Sequence, residues 1–391
     1  MTTDYKTPCF LIDEKEFDRN EKLFKKALSR YFSNNIIGFS VKTNSFPYLL
    51  NIAKKAGCYA EVVSYTEYNL ALLCGFKKNS IIYNGPMKSE ETFVDAIENG
   101  AIVNIETKRE IEWLKKLDST KEYQVGIRLN VNISMISPDD AKHDDDDSRF
   151  GFSAENNEFE DAINDICSIG HVKLTGIHIH RTSKTRSVEF YRHLVRYGIS
   201  VIKKYHLEIN YLDVGGGYFG IFGNKPSYDD YVCAIAEEVS DLLNKNILII
   251  VEPGNALTAS VFHYKSSVID VKKVGGKTFI TTDATRNDID PLFQKSDYIK
   301  KVNYQDKVDN SLVDSQLICG CTCLEFDRLF ELKNSRAIKV GDVIDYYNVG
   351  AYTMCLSPLF IRYIPRVYSL KTGKIIREEW TEKEYVNKCV L

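Results

Sequence analysis

The feature that most constrains this chain is a count. Between about Asn35 and Gly254, short β-branched runs alternate with amphipathic stretches, and the runs number eight: 36–41, 59–63, 80–84, 101–105, 123–130, 173–179, 209–214 and 246–251. Helical periodicity fills the intervals at 46–56, 66–74, 90–99, 107–117, 156–168, 187–205 and 229–244. Strands joined through helices run parallel. Eight such units predict an α/β fold, a (β/α)8 barrel of the TIM type over residues 30–260.

A barrel of this kind carries its chemistry at the C-terminal ends of its strands. The polar and glycine signals fall there. Lys42 follows the first run, Ser64 the second, Gly85 the third; Arg128 ends the fifth, His180 the sixth, Gly215 to Gly217 the seventh and Glu252 the eighth. After residue 260 the helical period fades, and VFHYKSSVIDV, KTFITTD, SQLICG and VGDVIDYYNV alternate as half-buried strands do. Residues 261–391 are therefore expected to form a β-rich domain.

Composition narrows the partners. A formal charge of −3 in 391 residues gives no field for polyanions, so neither nucleic acid nor an anionic membrane is expected. The start, MTTDYKTPCF, lacks the features of a signal peptide and no apolar run is long enough for a bilayer, so a cytosolic protein is the simplest expectation, its ten cysteines reduced. PDDAKHDDDDS at 138–148 holds six aspartates, which read as a solvated loop or, alternatively, a cation or partner site.

Individual motifs stay ambiguous. Lys42, in FSVKTN, ends an apolar strand where a partly desolvated amine could form a Schiff base, although lysines there also snorkel to solvent. LDVGGGYFG at 212–220 offers backbone N–H groups to an anion such as a phosphate, or simply turns. GIHIHRTS at 176–183 places His178 and His180 on one side of a strand, as a ring stacked on a flat cofactor, as core histidines, or as a zinc pair without an evident third ligand. Glu252, in VEPGN, needs a cation or proton donor. A pyridinium nitrogen would serve. CGCTCLEFD at 319–327 aligns three cysteines on one face, as buried thiols, a metal site or one reactive acid–base thiol, Cys323.

In order, TPCFLID, FSVKTN, AEVVSYTE, SRFGF, HIHRTS, DVGGG, EPG, TCLEFD and GAYT resemble the motifs of the fold-type III pyridoxal-phosphate decarboxylases, the group of diaminopimelate, ornithine and arginine decarboxylases whose barrel is shared with alanine racemase. The resemblance implies that residues 1–29 supply an opening strand to the β-rich domain. It also implies roles. Lys42 would carry pyridoxal phosphate, His180 would stack on its ring and Glu252 would pair with its nitrogen. Gly215, Gly216, Gly217, Ser183 and Tyr352 would hold the phosphate, while Cys323 would reach in from a second subunit to protonate the product, making the enzyme a homodimer. No metal is implied.

Departures from the family pattern bear on the substrate. Asn255 follows EPG where arginine is usual, DIDP at 288–291 lacks an arginine, and Leu324 follows Cys323 where an acidic residue is usual. Arg181 could meet an acidic substrate tail, and Asp283 or Glu325 could restore a negative charge. These residues lead to the expectation of a decarboxylase for a modified or bulky amino acid, similar to carboxynorspermidine or siderophore-type decarboxylases and serving polyamine or siderophore biosynthesis. Diaminopimelate decarboxylase, an amino-acid racemase and a non-catalytic cofactor-binding protein are the alternatives.

Overall fold

The computed structural model describes residues 5–141, 147–181, 183–240, 246–306, 308 and 310–390. The chain divides into two compact units, one from Arg19 to Leu257 and one made of the chain up to Asp18 and from Thr258 onward. After strand β1 (Cys9–Ile12), an 18-residue helix over Glu14–Tyr31 precedes the barrel.

The first unit contains the barrel. Strands β2 (Asn35–Ser40), β3 (Tyr59–Ser64), β4 (Ile81–Met87), β5 (Ile102–Ile105), β6 (Tyr123–Leu129), β7 (Val172–Ile179), β8 (Tyr211–Asp213) and β9 (Leu248–Val251) pair in sequence order. Closure comes from the parallel pairing of β2 with β9, with Asn35 opposite Ile249 and Ile37 opposite Val251. Each predicted run lies within a few residues of an observed strand. A β-branched stretch between two helices has no stable alternative once its neighbours offer backbone partners on both edges.

Helix starts follow local chemistry. Ser64, Ser89, Ser187 and Ser227 each accept a backbone N–H of the first turn, satisfying a donor that has no partner within its helix. Ser64 is thereby a cap, which accounts for its place after β3. The acidic stretch is only partly described, since Lys142 to Asp146 lie outside the described residues. Asp140 departs from the solvated reading: it is buried and accepts hydrogen bonds from Ser137, Thr185 and Ser187, joining the segment after β6 to the one after β7.

The second unit is mostly sheet. Strands β10 (Phe262–Val274), β11 (Lys277–Thr282), β12 (Lys300–Asn303), β13 (Leu312–Cys319), β14 (Arg328–Arg336), β15 (Val343–Tyr346), β16 (Arg366–Ser369) and β17 (Ile375–Arg377) join β1 in one nine-stranded sheet. Its main path runs β14-β13-β11-β10-β1-β16-β17. β1 is the seam, antiparallel to β10 and parallel to β16, so the chain's first strand is held by segments more than 250 residues away. Residues 262 to 268 alternate between buried and half-buried, as the period-two pattern predicted. Among the described residues no helix is long and apolar enough to cross a membrane.

Candidate active site

The barrel gathers its polar side chains at the C-terminal ends of its strands. Lys42 sits in the single turn Val41–Thr43 that follows β2. Its Nζ lies 2.6 Å from Glu61 Oε2 of β3, with Glu61 almost fully buried and Lys42 about one-third exposed. Ser40 Oγ donates to the same carboxylate oxygen at 2.7 Å, and Asn84 Nδ2 of β4 donates to the other at 3.2 Å. Burial pushes the Glu61 carboxyl up, but the charge of Lys42 and the hydrogen bonds from Lys42, Ser40 and Asn84 outweigh it and hold the group below its ordinary value. The amine thus faces a carboxylate kept ionised.

Glu252 follows β9 and is buried among its own kind. Burial, then the charges of Asp213 and Glu61, push its carboxyl well above the ordinary range. Asp213, at the end of β8, is pushed up to about 7, chiefly by burial, against the opposing hydrogen bonds of Glu252 and the Gly215 backbone. Two neighbouring buried carboxyls resist ionising together. A cationic ring nitrogen facing Glu252 would reverse this balance and draw the carboxylate into its charged form.

His178 of β7 and His180 just after it have parallel rings, with centroids 6.2 Å apart and 3° between planes. That is the one-level spacing alternation predicts. Burial first, and then the Arg128 guanidinium, hold both imidazoles well below their ordinary value, so they are neutral. His178 Nε2 is 3.7 Å from Glu252 Oε2, and among the described residues neither of its ring nitrogens has a hydrogen-bond partner despite near-complete burial. His180 Nδ1 accepts from the Gly216 N–H at 3.2 Å. Of the two histidines only His178 joins a possible ligand set: its ligand atom and those of Asp213 and Glu252 lie within 4.8 Å of one another.

The glycine triplet is required by its surroundings. Gly215 and Gly217 take positive φ, and a Cβ on Gly216 would lie 2.1 Å from the Glu252 carbonyl oxygen. Gly254 serves a similar close approach, since a Cβ there would meet Thr43 Oγ1 at 2.2 Å. Ser183 is buried, its Oγ accepting the Arg186 N–H at 3.0 Å and sharing a hydrogen bond with Thr185. Around the rim, two ion pairs complete the unit: Arg128 with Glu106 at 2.8 Å and Lys88 with Glu110 at 3.2 Å. Both are buried pairs. Each partner's removal would leave an uncompensated charge.

An amine held by an ionised carboxylate, a glycine turn at a strand end, neutral parallel rings and a carboxyl awaiting a cation fit pyridoxal phosphate group by group. Lys42, His180, Gly215 to Gly217 and Glu252 are thus brought together within the barrel. Glu61, Asn84, Asn104 and Asp213 were missed by the sequence reading, although a polar residue inside an apolar strand, as in YAEVVS or IVNI, was a visible signal.

The remaining candidates lie in the sheet unit, at the barrel's last turn (Asn255) or just after β7 (Arg181). Cys323 is exposed and Leu324 half-buried, in a loop closed by Asp327, which accepts from Thr322 Oγ1 at 2.6 Å and from the Arg286 N–H at 2.9 Å. Tyr352 is exposed, with a positive φ of 54°. Asp283 accepts the Ser267 N–H at 2.8 Å, Glu325 faces solvent, Asn255 opens the turn Asn255–Thr258, and Arg181 is half-buried.

The model for "Pyridoxal-dependent decarboxylase, pyridoxal binding domain" matches residues 14–259. A diaminopimelate decarboxylase of Methanocaldococcus jannaschii is 24% identical over 416 aligned positions, covering 100% of this chain and 93% of its own. That of Archaeoglobus fulgidus is 26% identical over 361, covering 90% and 84%. In three dimensions, a crystal structure of the M. jannaschii diaminopimelate decarboxylase matches with a TM-score of 0.85 at 23% identity, over 99% of this chain and 93% of that one. The arginine decarboxylase of Paramecium bursaria Chlorella virus matches at 0.77 and 18%, over 94% and 96%.

These relatives overturn one expectation. Carboxynorspermidine and siderophore-type enzymes were predicted from Asn255, Leu324 and Arg181, but the two relatives aligned by sequence over nine-tenths of the chain or more are diaminopimelate decarboxylases, and the expectation of polyamine or siderophore biosynthesis falls with it. The physical reason is that three side chains were asked to outweigh a site. Leu324 is half-buried in a loop fastened by Asp327, and the Asp283 carboxylate is already engaged by backbone. With its cofactor domain matched from residue 14 to 259 and its relatives aligned along nearly its full length, this chain belongs to the pyridoxal-dependent decarboxylases, enzymes that use pyridoxal phosphate to remove the carboxyl group of an amino acid.

Proposed function

We propose that the chain is a diaminopimelate decarboxylase acting as a homodimer. The observation that carries this reading is the length of the likeness: the M. jannaschii diaminopimelate decarboxylase aligns with all of this chain, the sheet unit included, and not with the barrel alone. Bound pyridoxal phosphate supplies an electron-withdrawing ring that accepts the electron pair left behind when carbon dioxide departs.

The protein's own groups divide the remaining work. Lys42 Nζ would hold the cofactor, with the Glu61 carboxylate 2.6 Å away to offset positive charge on that nitrogen. Glu252 would pair with the ring nitrogen, where a buried carboxylate favours a proton. His180, held neutral by burial and Arg128, would stack on the ring. The glycine turn Gly215 to Gly217, with Ser183 and Tyr352, would hold the phosphate once the Gly215 and Gly216 N–H groups turn from Asp213 and His180, to which they donate here. Cys323 is supplied by the second copy and delivers a proton to the carbon that lost its carboxylate; its exposure on a loop supports that assignment. Tyrosine serves a racemase better at that position, so decarboxylation is favoured.

Purified protein loaded with pyridoxal phosphate should release carbon dioxide from diaminopimelate and form lysine, and should do so faster than with lysine, ornithine or arginine. Turnover of one of those three in preference to diaminopimelate would overturn the substrate assignment while leaving the decarboxylase in place.

A further inference from the structure

A polar path runs through the barrel interior from the start of β8 to the carboxylates at its mouth. The Tyr211 hydroxyl donates to Asn104 Oδ1 at 2.8 Å, Asn104 Nδ2 donates to Asn84 Oδ1 at 2.8 Å, and Asn84 Nδ2 donates to Glu61 Oε1 at 3.2 Å and to Glu252 Oε1 at 2.6 Å. All five side chains are buried. Space for the path is built into two strands. A Cβ on Gly126 would lie 2.0 Å from the Tyr211 hydroxyl oxygen, and one on Gly176 would lie 2.0 Å from its ring. Glycine inside a strand weakens it, so two of them clearing one side chain mark a close approach that the fold accommodates.

The direction of the path follows from donor counting. Tyrosine carries one O–H, and an amide carries two N–H donors and one oxygen. With Tyr211 donating, Asn104 must receive at oxygen and give at nitrogen, which forces Asn84 to do the same. Both protons of the Asn84 amide are then committed to carboxylates. Burial, and then Asp213, keep the Tyr211 hydroxyl well above its ordinary value, so this donor does not titrate away.

We infer that Asn84 is a positioning residue, oriented by Asn104 and Tyr211, that ties the carboxylate facing Lys42 to the carboxylate facing the cofactor ring nitrogen and keeps both as hydrogen-bond acceptors. The inference rests on the cofactor reading above. It goes beyond it by assigning work to three residues deep in the barrel that touch neither substrate nor cofactor. Loss of the Asn84 donors raises the proton affinity of both carboxylates. Glu61 then neutralises less of the charge on the Lys42 nitrogen, and Glu252 supports the ring nitrogen less. The titratable groups facing these two carboxylates are Lys42, Glu67, Asp213, His178 and Tyr218, and none of them is altered by the substitutions that follow.

The test uses full-length protein loaded with pyridoxal phosphate, as wild type, Lys42→Ala, Asn84→Leu and Tyr211→Phe. Two quantities are measured besides turnover: the dissociation constant for pyridoxal phosphate by equilibrium dialysis, and the pH midpoint of the visible absorbance band. Asn84→Leu should weaken binding about ten-fold and move the midpoint to lower pH. Tyr211→Phe, which removes one oxygen and leaves the amides free to reorient, should move both in the same direction by less. Wild-type affinity and midpoint in both variants would overturn the inference, whatever their melting temperatures. Should Asn84→Leu fail to fold, Tyr211→Phe decides alone. A wild-type protein with no visible band, or a band that survives in Lys42→Ala, defeats the cofactor reading and the relay with it, an outcome distinct from a normal wild type beside unshifted variants.

Discussion

In the barrel unit, Glu61, Asn84, Asn104 and Glu252 are buried in or beside strands and joined by hydrogen bonds, whereas in the sheet unit Cys323, Glu325 and Tyr352 stand on loops and face solvent. The first arrangement is rigid and closed on itself. A buried polar group there is satisfied by its neighbours or costs stability, so each side chain is constrained by the next. The second arrangement is a set of groups presented outward, the Cys323 loop held at Asp327 and along β13 and β14. Cofactor chemistry belongs to the first kind of region, and proton delivery to a partner's site suits the second.

Substitutions on the two sides should therefore fail in different ways. The largest effect is expected for Lys42→Ala, which should lower turnover at least about 1,000-fold and abolish the visible band, read by spectrophotometry and carbon dioxide release. Cys323→Ala should lower turnover about 100-fold while the band persists, because the cofactor does not depend on it. Mixing the two inactive variants sharpens the contrast. Shared sites in a homodimer should restore about a quarter of wild-type activity, since half the randomly paired dimers carry one intact site, and no recovery would remove Cys323 from a partner's site.

Smaller effects test the closed network itself. Gly216→Ala forces a Cβ against the Glu252 carbonyl oxygen at 2.1 Å and should cost about 1–3 kcal/mol in denaturant unfolding, with cofactor affinity falling in parallel. The smallest concerns pH. Burial pushes Glu67 up to about 7, against the Val63 N–H that it accepts at 2.9 Å. The native state then holds this proton longer than the unfolded chain does. Its contribution is fully present below the ordinary value of 4.5 and is lost as pH rises through about 7. The cofactor-free protein should accordingly melt at lower temperature at pH 8 than at pH 5, and Glu67→Gln should flatten that slope.

The count of eight strands, the placement of Lys42, His180, Gly215 to Gly217 and Glu252 after them, and the change to period two beyond residue 260 were all legible without coordinates, because they depend on periodicity and on which residues punctuate it. The cofactor followed from the resemblance of the ordered motifs to a known family, since the lysine, the glycine turn and the carboxylate at strand ends are each ambiguous alone. Substrate was misread for the opposite reason: Asn255, Leu324 and Arg181 were weighed as isolated side chains, without the loop in which Leu324 is half-buried.

Only the tertiary structure could decide who answers whom. Glu61 and Lys42 are 19 residues apart, Asn84 and Glu252 are 168 apart, and Asn104 and Tyr211 are 107 apart. Barrel closure brings them within hydrogen-bond distance by joining β2 to β9. A strand pattern states which residues point inward, but hydrogen bonding requires distances and donor directions that exist only after every strand has found its neighbour.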